Sequence, residues 1–245
     1  KITLASADVQ EVIQRHLLEK EPLEPQELIT IYEREKDNLQ TLFRFGDQSV
    51  QLRGWADCQS FCGLYPFHPY QLNLFQQALE SLAKHSIFSG RNMAVGERSM
   101  LSVFQEVAKA IKDLPVGKLA SFDLLYDGIR DVIRGDKQQT MVLAEKQVGP
   151  MELRILKALF LLKWVTPFKA SARNISILLI DQPNPNIRHQ DEQVKEALRN
   201  LEIQSYLQRN GDLYEFLTDK EKDVEVEIKQ TVVDDSQVTA RLNAV

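Results

Sequence analysis

Apolar residues recur at helical spacing through most of this chain. Leu72, Phe75, Leu79 and Leu82 mark one amphipathic helix, predicted from Gln71 to His85. Val9, Val12, Ile13 and Leu17 mark an earlier one, which Ser6-Ala7-Asp8 caps and which runs to about Glu19. Pro22 and Pro25 bracket a turn. A charged helix is predicted after it, from Pro25 to Gln40, with the proline in its first turn. The polar stretch from Phe43 to Leu52, with Gly46-Asp47, reads as a loop or a short extended segment. Asp57 to Leu64 reads as one or two helical turns. Ser99 to Lys112 and Phe122 to Arg134 read as two further helices, separated by Pro115-Val116-Gly117. These elements predict a helical bundle.

Past the stretch from Gly135 to Gln147 the pattern changes. Gly149-Pro150 opens an apolar helix from Met151 to Trp164, whose stripe of Leu153, Leu156, Leu159 and Phe160 is core. After Pro167 a second helix is expected from Ala172 to Leu179. A turn cluster then runs from Asp181 to Asn186, and a third helix spans Asp191 to Asn200. Ile203 to Leu207 and Leu213 to Leu217 read as strands joined through Arg209-Asn210-Gly211-Asp212, because Asn-Gly is a strong hairpin signal. Three helices followed by a hairpin predict a winged helix with a small β-hairpin wing. Glu221 to Lys229 reads as a charged exit helix. The fold expected is therefore mainly α, with a domain boundary near 140–148.

Two motifs punctuate the first part. In Tyr65-Pro66-Phe67-His68-Pro69-Tyr70 the prolines fix their own φ and push the preceding residues toward extended backbone, so Tyr65 and His68 fall outside helices. In Gly96-Glu97-Arg98-Ser99-Met100-Leu101 a glycine precedes an acid–base pair and a serine that opens an apolar helix. Arg98 is thereby expected at or just before a helix start, a position from which a cation can reach a phosphate on a neighbouring surface.

Composition narrows the function classes. The chain has 245 residues, enough for one large or two small domains, and 43% hydrophobic content supplies real cores. It begins at Lys1 rather than methionine, so a natural start is expected to be absent or processed. No apolar run reaches the roughly 18–20 residues that span a bilayer, and no signal-peptide pattern opens it, so a soluble cytoplasmic protein is expected. A net charge of −5 argues against a surface coated for nucleic acid but leaves a local basic patch open. Arg173 and Arg188, with Lys169, are candidates for such an edge, and Arg209 sits on the expected wing. The third helix opposes them with three acids against two bases from Asp191 to Asn200, so protein docking is favoured over DNA contact there.

The chain carries no G-x-x-x-x-G-K-[ST] loop, no G-x-S-x-G elbow and no H-E-x-x-H helix, so it is expected to be inactive alone. Cys58 and Cys62, the only cysteines, stand one helical turn apart with His68 nearby. Without a fourth ligand they read as small apolar groups rather than a metal site. His68, between prolines, reads as a packed turn residue bonded to backbone. Arg98 has two readings: an arginine finger, worth roughly 10³–10⁵ in rate in ATPases, or a structural partner of Glu97 or of a helix end. Arg91, after Gly90, is a second finger candidate.

The segment YPFHPYQLNLFQQALESL…SGRNMAVGERSMLSVFQEVAKAI resembles the region C-terminal to the ATPase core in large P-loop proteins of bacteriophage-exclusion (BREX) defence systems, the BrxC/PglY family. ITLASADVQEVIQRHLLEK and LQRNGDLYEFLTDKEKDVEVEIK resemble it as well. The resemblance implies a fragment of an ATPase. Residues 1–145 would form a lid-like helical domain, 146–230 the winged helix and 231–245 a C-terminal extension. ATP and Mg would be held by the parent outside these residues, with no cofactor of the segment's own. A DNA methyltransferase, other BREX components and self-association would supply the partners.

Overall fold

The computed structural model describes residues 6–20, 25–46, 52–89 and 97–230. Among them the chain is mainly helical, with one two-stranded antiparallel sheet. The first helices are α1 (Ser6–His16), α2 (Pro25–Leu42), α3 (Cys58–Leu64), α4 (Pro69–Lys84) and α5 (Glu97–Ile111). Asp57 caps α3 by accepting from the Ser60 N–H at 2.7 Å, and the Ser60 hydroxyl accepts from the Asp57 N–H at 3.0 Å. His68 caps α4, two residues earlier than the apolar stripe suggests, with Pro69 at the first helical position.

The helix expected from Phe122 to Arg134 is not continuous. It is a single turn, α6 (Leu124–Asp127), followed by a 3-10 turn at Arg130–Val132. The chain there is drawn to the segment after α4. The Ser89 N–H donates to Val132 O at 2.9 Å, the Arg134 N–H donates to Ile87 O at 2.9 Å, and Phe88 bridges Ile133. Gly128 permits close approach of α5: a Cβ there would stand 2.6 Å from Val103 Cγ1 and 3.1 Å from Val103 Cα. The stretch after it forms a further helix, α7 (Gly135–Gln147), which buries only Thr140, Met141 and Ala144.

α8 (Pro150–Leu162) is the central element. Ile155, Leu156, Ala158 and Leu161 are fully buried along it, and α4, α6, α7, α9 and α10 pack around it. α9 (Ala172–Leu178) is followed by α10 (Ile187–Ile203), which starts four residues before the acidic run because the Asn186 side chain accepts from the His189 N–H at 3.1 Å. Buried Ser205 then takes a left-handed φ of 58°, which ends the helix and delays the first strand. That strand, β1 (Leu207–Asn210), lies four residues later than its expected span. β1 pairs with β2 (Leu213–Phe216) in a register running from Leu207 opposite Phe216 to Asn210 opposite Leu213. The two turn residues are therefore Gly211 and Asp212, with Gly211 at φ 61°, and Asn210 belongs to the strand. α11 (Asp219–Gln230) closes the described chain.

One apolar cluster runs from Ile13 through Phe75, Phe104, Phe122, Leu156 and Phe160 to Phe216, and so includes residues on both sides of position 145. A smaller one joins α2 and α3 through Leu28, Ile31, Tyr32, Leu39, Trp55, Phe61 and Leu119. No described helix is long and apolar enough to cross a membrane.

Candidate functional site

The best-built candidate surface lies where α9, α10 and the end of α2 meet. Ser171 caps α9, and its hydroxyl accepts from the Asn174 N–H at 3.3 Å. Asn174 is buried and ties this helix to the loop after α2. Its amide donates to Gly46 O at 3.0 Å and Lys169 O at 2.7 Å, and its oxygen accepts from the Gly46 N–H at 2.9 Å. These bonds satisfy a buried side-chain amide and fix the end of α2 beside α9.

The result is an open cavity of about 400 Å³, with Leu42, Ile177, Ile180 and Ile187 as apolar lining and Arg173, Asp191 and Lys195 as charged lining. The Ser176 hydroxyl and the Asp191 carboxylate are hydrogen-bonded at 2.6 Å. Arg173 and Lys195 are exposed and make no ion pair among the described residues. The surface therefore combines apolar area with two unpaired cations and one carboxylate already engaged by a hydroxyl.

The arginines singled out from the sequence are not brought together. Arg173 opens on the cavity. Arg188, in the first turn of α10, pairs with Glu192 at 3.3 Å while 92% exposed. Arg209, on β1, donates to Gly211 O at 2.7 Å, lies 3.7 Å from Asp212, and stands 5.7 Å from the Tyr214 ring centre. Arg98 falls in the first turn of α5, with its side chain outside the described residues, and Arg91 lies outside them altogether. Lys195 and the Ser176–Asp191 contact were not legible as a site. They come beside Arg173 because α10 packs directly on α9, while Asn174 adds the end of α2 as the third wall.

The hairpin is locked by a buried cation. Lys163, with 3% of its side chain exposed, donates to Phe216 O at 2.6 Å and pairs with Glu215 at 3.0 Å and Glu221 at 2.8 Å. Burial works to raise the Glu221 carboxyl, but hydrogen bonds from Lys163 and Thr218 outweigh it and hold the group below its usual range. A second ion pair joins half-buried Arg154 on α8 to buried Asp123 at 3.2 Å, and the same guanidinium donates to Leu179 O at 2.8 Å.

His68 is the packed turn residue the prolines suggest. Its Nδ1 accepts from the Tyr70 N–H at 3.3 Å, and its ring sits against Trp55 at 4.0 Å and Phe43 at 4.2 Å between centres. Burial pushes the imidazole well below its ordinary pKa. Among the described residues no cluster of three or more metal-ligating side chains occurs. No family model matches the chain, and no solved structure matches it.

Proposed function

We propose that this chain is a regulatory or assembly portion of a phage-defence ATPase, a lid-like helical part followed by a winged-helix unit that docks protein. The observation that supports the winged-helix reading is the hairpin's third edge. Ser171, between α8 and α9, bridges Leu213, and the Tyr214 N–H donates to Ala170 O at 2.9 Å. A helix, a short edge, two helices and a two-stranded wing follow one another as they do in that fold. In this reading α10 is the helix that would meet a partner. Its outer face alternates Arg188, Glu192, Lys195, Glu196 and Arg199, and the wing arginine is engaged locally, which suits a protein surface better than a row of phosphates.

The ATPase part of the reading rests on the resemblance carried by the proline turn and the Gly-Glu-Arg-Ser element. The parent would hold ATP and Mg on a P-loop outside these residues, and Arg98, in the first turn of α5, would reach that nucleotide. BREX components are the expected partners and the cytoplasm the expected compartment. A non-enzymatic DNA-binding adaptor is the second reading, favoured by the unpaired Arg173 and Lys195. Fluorescence anisotropy with labelled duplex separates the two. The docking account expects no binding near 50 mM salt, whereas affinity that falls steeply as salt rises, and falls again in Arg173→Ala, supports the adaptor.

A further inference from the structure

Cys58 and Cys62 stand one turn apart on α3, and their sulfur atoms are 4.0 Å apart. The reciprocal Asp57–Ser60 cap holds the turn that carries Cys58. Both thiols are half-buried rather than sealed in the core, and both line an open cavity of about 910 Å³ with Gln14, Arg15, Lys20 and Ser60 around it. The described residues add no third ligand. Among the described residues that count falls short of a closed structural zinc site, which takes four. It matches a soft ion, for which thiolate is the preferred donor. A metal–thiolate bond of about 2.3 Å places two sulfurs about 3.8 Å apart at a tetrahedral angle and about 4.6 Å apart in a straight line. A two-ligand ion takes the straight-line arrangement, so the observed 4.0 Å must widen by about 0.6 Å, which a turn of the side chains supplies.

We infer that Cys58 and Cys62 form a two-thiolate site for a soft monovalent cation of the Cu(I) type. On binding, each thiol gives its proton to solvent and two sulfur–metal bonds form. No electron is transferred, and the bis-thiolate complex carries one negative charge. The Lys20 ammonium, which donates to Leu18 O at 2.8 Å and Tyr65 O at 3.1 Å, lines the same cavity. Because both thiols lose their protons on binding, uptake weakens as pH falls.

The test is anaerobic titration of the reduced chain with Cu(I) held by bicinchoninate. The expected result is withdrawal of a single Cu(I) per chain from the chelator, with a rise in unfolding temperature, because a ligand bound only by the folded state stabilises it. In Cys58→Ser and Cys62→Ser the affinity should fall by more than the roughly 10–100-fold that changes outside a metal's own ligands cost. Cys58→Ala serves as the second variant should a serine disturb the helix. Three outcomes overturn the site: failure of the wild-type chain to compete, equal uptake by any folded cysteine variant, or uptake without thermal stabilisation.

Discussion

The two apolar clusters are built differently. Around α8 the large cluster is saturated. Leu156 and Phe160 are enclosed, and the buried charges at its margin, Asp123 and Lys163, have partners at 3.2 Å and 2.6–3.0 Å. The small cluster between α2 and α3 is not. At its edge lie Trp55 Nε1 and His68 Nε2, both buried and both without a hydrogen-bond partner, and on its flank lie the two thiols. An unsatisfied buried polar atom costs about 1–3 kcal/mol, so this corner sits in a shallower well than the α8 core. The difference assigns stability to one region and titratable or ligand-responsive chemistry to the other.

The comparison is broken most forcefully at Leu156. Leu156→Ala removes a fully buried side chain from the saturated core and should cost about 2–5 kcal/mol in urea unfolding. A near-neutral result would mean that the α8 region is not the stability centre. At the other corner the lever is pH. The folded state holds His68 neutral, so the unfolded chain binds the proton more readily. The stability due to this residue is complete above about pH 6.5 and is lost as pH falls from there toward the depressed folded value, by at most about 1.4 kcal/mol per pH unit. The Glu221 carboxyl, also depressed, adds loss only below its own unfolded value of 4.5, so measurements from pH 7 to about 5 isolate the histidine. His68→Asn, which can still cap α4, should flatten that slope. An unchanged slope would place the titration elsewhere. The smallest effect is expected at Gly211→Val, about 1–2 kcal/mol, since the turn requires φ 61° while no other atom lies within 4 Å of an added Cβ. A cost near zero there would show that the turn has relaxed to another geometry.

Long apolar periodicity made α4 and α8 legible. α7 was not, because its thirteen residues bury only three side chains and carry almost no periodic signal. The segment from Phe122 to Arg134 misled for the opposite reason. Its apolar spacing suits a helix, but its end pairs by backbone hydrogen bonds with Ile87 and Ser89, which the local pattern does not encode. The hairpin was foreseen, but Ser205 in a left-handed conformation carries no glycine to announce it, and the first strand was set four residues early. For the candidate surface, residue type was enough to find Arg173. The pairing of Arg188 with Glu192 lay one turn apart in the sequence, whereas the meeting of Lys195, Asp191 and Ser176 with the end of α2 depends on Asn174 and Gly46, 128 residues apart.

The most direct measurement is ATP hydrolysis by the complete parent protein, wild type against Arg98→Ala, with thermal unfolding of both. The proposed role predicts a stable variant whose turnover falls at least about tenfold, in line with the large rate contribution of an arginine that meets a transferring phosphoryl group. Equal turnover in a stable variant would contradict it, and loss of folding would assign Arg98 to the scaffold of α5.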